Sequence, residues 1–312
     1  MVARLWQAAA VVVIPERELE IDEALVRGLL AAQAPSLAQR PLRFVAHGWD
    51  NDLWRLGDDL LVRLPRRAAA AALVENHQRF LPRLVPRVPI LAPLPVVAGV
   101  APDDYPWPWS VVPWFDGELA ATSRALPAEA ARLGDILRRL HVDADADAPH
   151  NPFRGVPLVE RLPLLDQLED ALPEPRDVLV ESAIGIVRHA ATVEPARHHV
   201  WLHGDLHPRN ILLRDGRLLA FLDWDDLCGG DAATDLASVW WLFDVDHHDA
   251  FWTAYGHGDE PLRQRTLGWA ALFGLMFLTF VRADDPTRGD EAAAALARAQ
   301  LARVTAPALP LP

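Results

Sequence analysis

The sequence lacks lysine entirely, and all of its strongly basic residues are arginines. Without lysine there is no Gly-x-x-x-x-Gly-Lys-[Ser/Thr] motif, which argues against a P-loop nucleoside triphosphatase. Cysteine is nearly absent too, since Cys228 is the only one. A single cysteine excludes an intramolecular disulfide, so a reducing cytoplasm is the expected compartment.

Long hydrophobic runs are also missing. Residues 8–14 are apolar, but Pro15-Glu16-Arg17 ends the run, so neither a signal peptide nor a membrane anchor is expected. The apolar run at 270–281 is too short to span a bilayer and predicts a buried helix. No membrane partner is therefore expected.

Positive charge is in deficit, because the formal net charge is −13 at pH 7. Nucleic-acid binding needs basic surface, so a nucleic-acid partner is not expected. The acidic surface is compatible with a cationic small-molecule partner. With 312 residues, of which 51% are hydrophobic and 23% charged, the chain suits a soluble enzyme built from two packed lobes.

The first part of the chain predicts a small sheet. Helical spacing of apolar residues covers 21–33, and strand-like segments follow at 42–46, 52–56 and 60–64, separated by turn residues. The alanine-rich run 67–81 predicts a helix that Pro82 ends. Two more strands are expected, near 94–98 and at 109–112.

Beyond residue 113 the sequence predicts mostly helices. The expected segments are 127–141, 158–171, 178–190, 232–243, 248–255, 262–282 and 290–304, with short strands at 211–213 and 218–222. We therefore predict an α+β, bilobal fold, with an antiparallel-sheet lobe at 1–113 and a helical lobe at 114–312. A ligand is expected in the cleft between the lobes.

One motif carries most of the chemistry. Asp205 is followed by Asn210 five positions later, and Asp223 comes after a short predicted hairpin. Phosphoryl-transfer enzymes of the protein-kinase type use this arrangement: the first Asp orients the attacking hydroxyl, while the Asn and second Asp hold Mg²⁺. Magnesium accepts hard oxygen ligands and keeps several waters, so one carboxylate and one amide suffice.

The stretches His203-Gly204-Asp205-Leu206-His207-Pro208-Arg209-Asn210 and Phe221-Leu222-Asp223-Trp224 resemble the aminoglycoside phosphotransferase family. That family comprises antibiotic kinases and other small-molecule kinases with a protein-kinase-like fold, and the resemblance spans roughly residues 44–241. It implies that Asp205 is the catalytic carboxylate, that Asn210 and Asp223 are magnesium ligands, and that His203 and Asp235 brace the catalytic loop.

The resemblance also assigns nucleotide-binding residues in the first lobe. Gly48 and Asn51 belong to the loop expected over the nucleotide, and Arg63 stands where many relatives carry a phosphate-binding lysine. By analogy with the Lys–Glu pair of kinases, Glu75 is the expected partner of Arg63. Trp114, where the chain leaves the first lobe, is expected to border the adenine pocket.

The implied activity is Mg²⁺-dependent transfer of the γ-phosphate of ATP or GTP to a hydroxyl of a small molecule, with an antibiotic such as an aminoglycoside as the first candidate. A macrolide or nucleoside-antibiotic kinase and a metabolic kinase for an amino alcohol or sugar share every motif. A non-catalytic binding protein on a kinase fold is a further alternative, which the joint presence of all three motif residues disfavours.

Two interpretations of neighbouring residues stay open. His203, Asp205 and His207 could form a zinc site of a hydrolase, although that leaves Asn210 and Asp223 unexplained. The adjacent Asp225 and Asp226 could assist the metal, accept hydrogen bonds from substrate amines, or form a solvated turn.

Overall fold

The computed structural model describes residues 16–172, 176–256, 258–279 and 290–306. By the contacts between residues, the chain divides into two compact units. The sheet unit comprises the described residues up to Gly117 together with Ala220–Asp225. The helical unit comprises Glu118–Leu219 and the described chain from Asp226 onward. The short segment that carries Asp223 therefore belongs to the sheet unit.

The sheet unit contains five antiparallel strands in the spatial order β1-β2-β3-β5-β4. Its elements are α1 (Glu23–Gln33), β1 (Leu42–His47), β2 (Asn51–Leu56), β3 (Leu60–Pro65), α2 (Ala68–Leu84), β4 (Val97–Gly99) and β5 (Trp109–Pro113). Helix α1 begins where the Asp22 carboxylate accepts a hydrogen bond from the Leu25 N–H at 2.8 Å. Its buried side chains form one hydrophobic core with Trp54, Val62 and Trp109 of the sheet.

The sequence placed the end of α2 before Pro82, and this detail was wrong. The helix continues through Pro82 to Leu84. Proline removes one helical hydrogen bond, but the last turn also buries Phe80, Leu81 and Leu84. Burial of a full leucine or phenylalanine side chain is worth about 1.5–3 kcal/mol, so this apolar face offsets the missing bond.

The helical unit carries the remaining elements. They are β6 (Glu118–Leu119), α3 (Glu129–Leu140), α4 (Leu162–Ala171), α5 (Val178–Ala190), β7 (Val200–Leu202), β8 (Ile211–Arg214), β9 (Arg217–Phe221, whose last two residues belong to the sheet unit), β10 (Cys228–Gly230), α6 (Ala233–Leu236), α7 (Ser238–Leu242), α8 (His248–Tyr255), α9 (Glu260–Leu278) and α10 (Glu291–Val304). The α+β class is confirmed by this combination of antiparallel strands and helices.

Helix α9 is the centre of the helical unit and packs against α5, α6 and α10. Two glycines permit this close packing. A Cβ atom at Gly268 would overlap Ala190 of α5, and one at Gly274 would overlap Gln300 and Leu301 of α10. Every residue from Arg265 to Phe277 is buried, as predicted for the apolar run at 270–281, of which residues 280 and 281 lie outside the described ranges. No helix in the described ranges is long and apolar enough to cross a membrane.

Two predicted helices are interrupted in the structure. The segment predicted as 158–171 starts with a 3₁₀ turn, Leu158–Arg161, before α4 begins at Leu162. Pro163 stands in the first turn of α4, where its missing N–H costs nothing, but it could not lie inside a longer helix. The segment predicted as 232–243 forms α6 and α7, which meet at Ala237.

Buried His248, the first residue of α8, predicts an acid-sensitive fold. Burial lowers its pKa from 6.5 to about 4, so the unfolded chain takes up a proton first as the pH falls. The free energy of unfolding should therefore decrease by about 1.4 kcal/mol per pH unit between roughly pH 6 and 4 from this group alone. When urea unfolding is measured across that pH range, the free energy of unfolding of His248→Gln should depend less steeply on pH than that of the wild type. The exposed control His150→Gln should keep the wild-type slope.

Candidate functional site

The motif that contains Asp205 and Asn210 begins at the end of β7 and is held by Asp235. One carboxylate oxygen of the buried Asp235 accepts the His203 N–H at 2.7 Å, and the other accepts the Gly204 N–H at 2.9 Å. His141 approaches the same carboxylate at 3.3 Å and contacts the Tyr255 hydroxyl at 2.9 Å. A charged acceptor on two consecutive backbone N–H groups fixes the chain immediately before Asp205.

Both carboxylate oxygens of Asp205 have partners within the helical unit. The Arg154 guanidinium donates to Oδ1 at 2.9 Å, and His207 Nε2 lies 3.2 Å from Oδ2. Burial works to raise the pKa of Asp205, but Arg154 and His207 hold it well below its usual range. The carboxylate is therefore ionised at neutral pH and already bound to a buried cation.

The Asn210 side chain lies beside Asp205, as the spacing of the motif predicts. Its amide nitrogen donates to the Asp205 carbonyl oxygen at 2.9 Å and approaches Oδ2 of the same residue at 3.3 Å. With the nitrogen committed to Asp205, the amide oxygen is the atom of this side chain suited to a cation. No hydrogen bond engages that oxygen within the described part of the chain.

Asp223 is paired with Arg63 inside the sheet unit. One guanidinium nitrogen of Arg63 lies 2.9 Å from Asp223 Oδ1 and 2.8 Å from Asp225 Oδ2. Burial works to lower the pKa of Arg63, but the two carboxylates more than offset it and raise the pKa. Asp223 itself is half exposed and adopts the left-handed backbone conformation, with φ of 53°.

Asp225 is a buried residue that the sequence left open between three interpretations. Besides Arg63, its Oδ2 accepts a hydrogen bond from Asn51 Nδ2 at 2.8 Å. It is 5% exposed, so the solvated-turn interpretation is wrong for this residue. The Asp226 carboxylate is also hydrogen-bonded, because it accepts from Asn151 Nδ2 at 2.6 Å. Asp225 thus joins β2, β3 and the Asp223 segment.

Two buried oxygens of this group have no donor among the described residues. They are Asn51 Oδ1 and Asp225 Oδ1. A buried acceptor without a donor is costly, so each is suited to a partner supplied from outside the chain, such as a water, a cation or a ligand N–H.

The other predicted nucleotide-binding residues are placed as follows. The Gly48 N–H donates to the Asn51 carbonyl at 2.8 Å, which closes the loop between β1 and β2. The guanidinium of Arg55 covers one face of the Trp114 indole, with its central carbon 3.9 Å from the ring centroid. Glu75 is exposed on α2, and no ion pair joins it to Arg63 in the described structure. The carboxylates that orient Arg63 are Asp223 and Asp225 instead.

The residue types fit magnesium better than zinc. Asn210 and Asp223 offer an amide oxygen and a carboxylate oxygen, which are the hard donors that Mg²⁺ prefers. Within the described ranges, no three His, Cys, Asp or Glu side chains are arranged to hold a metal ion. The zinc-hydrolase interpretation therefore lacks a set of ligands in those ranges. The His203 ring is used differently, because its Nδ1 accepts a hydrogen bond from the Asp205 N–H at 3.3 Å.

Gly204 gives a direct test of the loop geometry. Its φ is +89°, and a Cβ atom there would overlap the carbonyl oxygen of Asp226. Gly204→Ala should lower the free energy of unfolding by roughly 2 kcal/mol or more and displace Asp205, because strain and overlap add. Gly185 is the matched control, since nothing lies within 4 Å of a Cβ there in α5. Gly185→Ala should be stabilising by up to about 1 kcal/mol in urea unfolding, with activity unchanged.

Comparison with known proteins bears on the whole arrangement. The profile of the phosphotransferase enzyme family (APH) matches residues 41–273, which is well over half of the chain. Stress response kinase A of Salmonella choleraesuis (strain SC-B67) is 28% identical over 197 residues, covering 58% of this chain and 55% of that protein. The chain thus spans about half the length of the curated relatives it matches.

Solved structures share the fold at low sequence identity. The GDP and kanamycin complex of APH(2")-IIia is 17% identical with a TM-score of 0.66, covering 91% of this chain and 99% of the other. Macrolide 2'-phosphotransferase MphH from Brachybacterium faecium is 22% identical with a TM-score of 0.60, covering 87% and 97%. The predicted kinase-like fold is confirmed by these likenesses.

Proposed function

The chain belongs to the phosphotransferase enzyme family, and from that premise we propose that it moves the γ-phosphoryl group of ATP or GTP to a hydroxyl of a small molecule with Mg²⁺. The observation that carries this proposal is Asp205, an ionised carboxylate fixed at a braced loop with Asn210 beside it. A nucleoside-triphosphate co-substrate agrees with the cytoplasmic location that the single cysteine favours.

Each residue of the site has a distinct proposed task. Asp205 aligns the acceptor hydroxyl and accepts its proton as the phosphoryl group moves. Arg63, held by its two carboxylates, binds the nucleotide phosphates through a permanent positive charge. Asn210 and Asp223 are the proposed magnesium ligands. When bound, Mg²⁺ neutralises the charge that develops on the phosphate oxygens.

Antibiotics are the first acceptors to test. One of the solved structures that share the fold is a complex with GDP and kanamycin, and another is a macrolide 2'-phosphotransferase. A metabolic hydroxyl compound, such as an amino alcohol or sugar, remains the alternative, because the site residues described above do not depend on the acceptor.

A nucleotide-consumption screen tests the proposal. ATP or GTP is offered with Mg²⁺ to a panel of aminoglycosides, macrolides, nucleoside antibiotics, amino alcohols and sugars, and formation of the nucleoside diphosphate is measured. We expect Mg²⁺-dependent consumption that needs an acceptor and stops with a chelator. No consumption with any acceptor class would favour a non-catalytic binding protein.

Asp223→Ala separates the proposed metal role from catalysis. Removing this carboxylate should weaken binding of the Mg²⁺-nucleotide by about tenfold or more, which a calorimetric titration measures. Asp103→Ala, at an exposed position in the same unit, is the control and should bind as the wild type does. Unchanged affinity in Asp223→Ala would remove the magnesium role from this residue.

A further inference from the structure

Arg161 is a buried arginine that forms no ion pair with any described residue. It ends the 3₁₀ turn before α4 and is 8% exposed. In the described part of the chain it makes no hydrogen bond or ion pair, and its buried Nε has no acceptor. It contacts an aromatic ring instead, since the guanidinium lies over Phe153 at 5.4 Å from the centroid.

A buried guanidinium in this state is costly. Its Nε–H loses its water on folding without gaining an acceptor, and a ring face replaces only a small part of that hydration. Burial and the nearby charge of Arg154 lower the pKa of Arg161 to about 10, yet the group remains charged at neutral pH. Among the described residues the Glu160 carboxylate favours this charge, but no carboxylate lies close enough to form an ion pair with it.

This charge lies near Arg154, which is the ion-pair partner of Asp205. Phe153, which Arg161 covers, directly precedes Arg154, and Arg154 donates to Asp205 Oδ1 at 2.9 Å. The guanidinium of Arg154 also lies over the Phe273 ring at 5.2 Å, and its buried Nε has no acceptor among the described residues either. Arg154, which binds Asp205, thus has a second arginine and two aromatic rings nearby.

From this arrangement we propose that Arg161 binds an anionic group, a carboxylate or a phosphate, on the hydroxyl acceptor. The inference rests on the proposed function, because it assigns a chemical class to the acceptor of that same reaction. Within the proposed acceptor panel it favours hydroxyl compounds that carry a negative charge over polycationic ones such as aminoglycosides. Arginine suits this task, since its planar fork can bind a carboxylate or phosphate through two parallel hydrogen bonds.

Arg154 complements this role by positioning the acceptor. It already forms an ion pair with Asp205, so a polycationic acceptor would have to compete with a buried guanidinium for the catalytic carboxylate. An anionic acceptor instead adds negative charge beside Arg161, whose neighbour Arg154 is the guanidinium bound to Asp205. Complementary charge of this kind selects one acceptor class against another.

The first experiment measures anion binding without turnover. The thermal midpoint of the wild type is followed with inorganic phosphate, and with sodium chloride at equal ionic strength. Phosphate should raise it saturably by a few degrees, as a ligand bound only to the native state does. Arg161→Met should reduce that increase, and the part that remains is assigned to Arg63, the proposed ligand of the nucleotide phosphates. The control Arg197→Met, at an arginine whose side chain is 79% exposed and paired with Glu194, should keep it.

The unliganded Arg161→Met protein gives a second readout. Replacing an uncompensated buried charge with an apolar side chain of similar length should leave the thermal midpoint unchanged or raise it by about 2 °C or more. A midpoint lowered by several degrees would show that Arg161 has an internal structural partner. That result would overturn the proposal, as would equal stabilisation of both proteins by phosphate.

A turnover experiment identifies the source of the anion. Glycerate, glycerol and 2-amino-1,3-propanediol share a three-carbon hydroxyl skeleton and differ in charge, and the same comparison extends to acidic and basic members of the acceptor panel. We expect consumption of nucleotide to favour the anionic members, with Arg161→Gln raising KM for the acceptor about tenfold and leaving KM for the nucleotide unchanged. A raised nucleotide KM instead would assign Arg161 to the nucleotide phosphates and overturn the inference.

The two proposals fail in different ways. If only cationic acceptors are phosphorylated, the proposed function stands and the anionic-acceptor inference is wrong. If no acceptor is phosphorylated, the proposed function fails, while the phosphate titration of wild type and Arg161→Met still reports whether Arg161 binds an anion.

Discussion

Asp205→Asn should lower kcat by at least ~10²-fold while the affinity for Mg²⁺-nucleotide stays within about twofold. Asparagine keeps the size of the side chain but cannot accept a proton from the acceptor hydroxyl. It also loses the charge that binds Arg154 at 2.9 Å. Steady-state kinetics with any acceptor found in the nucleotide-consumption screen, together with a nucleotide titration, separate the two effects.

The control for this substitution is Asp170→Asn, at an exposed position of α4. It should leave kcat and nucleotide affinity as in the wild type. Near-native turnover in Asp205→Asn would overturn the catalytic assignment. Loss of nucleotide binding and turnover together would instead indicate that the loop had lost its structure, which the thermal midpoint would reveal.

The ionisation of Asp205 adds a pH test to the same prediction. Its pKa is lowered in the fold, so its ion pairs stabilise the protein above the unfolded value near 3.9, and this stability is lost only as the pH falls through the lower folded value. Asp205 therefore remains ionised across pH 5–8. If activity falls on acidification within that range, the midpoint pH of the fall should be the same in Arg154→Lys as in the wild type. Lysine keeps the positive charge at this position.

The sequence predicted elements best where a local pattern sufficed. Helices α5 and α8 have the predicted bounds, Val178–Ala190 and His248–Tyr255, because apolar spacing and end signals agree there. Strands β7 and β10 were not predicted. Each is three residues long and is defined by its pairing with the other, 26 or more positions away, so an alternating pattern has no room to develop.

The same distinction applies to the candidate site. The contact between Asp205 and Asn210 follows from a local loop of five residues, and its spacing is visible in the sequence. Arg154 reaches Asp205 from 51 positions away, out of a loop with no periodic pattern. No signal in that loop distinguishes Arg154 from an exposed arginine, because the ring over which its guanidinium lies, Phe273, comes from a distant part of the chain.

The partner of Arg63 shows how an analogy can select the wrong neighbour. Glu75 was the expected partner because kinases place a glutamate on the following helix. The structure instead supplies Asp223 and Asp225, which are 160 and 162 positions away. Asp223 and Asp225 are separated by one residue in a short segment that follows a buried strand. This Asp-x-Asp spacing is the signal that could have indicated a shared cation.

Arg63→Met should be the most destabilising of the substitutions considered for the sheet unit. It leaves Asp225, whose side chain is 6% exposed, and the half-exposed Asp223 without their cation. Removing one partner of a buried ion pair typically costs about 3–5 kcal/mol, because the remaining charge is uncompensated. Urea unfolding should show this loss. Arg43→Met, on the exposed side of β1, should change stability by less than about 0.5 kcal/mol.

A second substitution tests whether the loss comes from the uncompensated carboxylate. Asparagine at position 225 keeps an oxygen that can accept from Asn51 but removes the negative charge. Arg63→Met combined with Asp225→Asn should therefore recover at least about 1 kcal/mol relative to Arg63→Met alone, a coupling within the range found for contacting residues. Strict additivity of the two changes would mean that packing of the arginine, rather than its charge, accounts for the loss.

Arg63→Lys should lose less than half of the stability that Arg63→Met loses, and it should retain nucleotide binding. A single nitrogen of Arg63 contacts both carboxylates, at 2.9 and 2.8 Å, so the bridge does not depend on the fork of the guanidinium. One ammonium group has three donors and could serve the same two acceptors. If Arg63→Lys were as unstable as Arg63→Met, the planar guanidinium itself would be required. The chain's complete lack of lysine would then have a structural reason at this position.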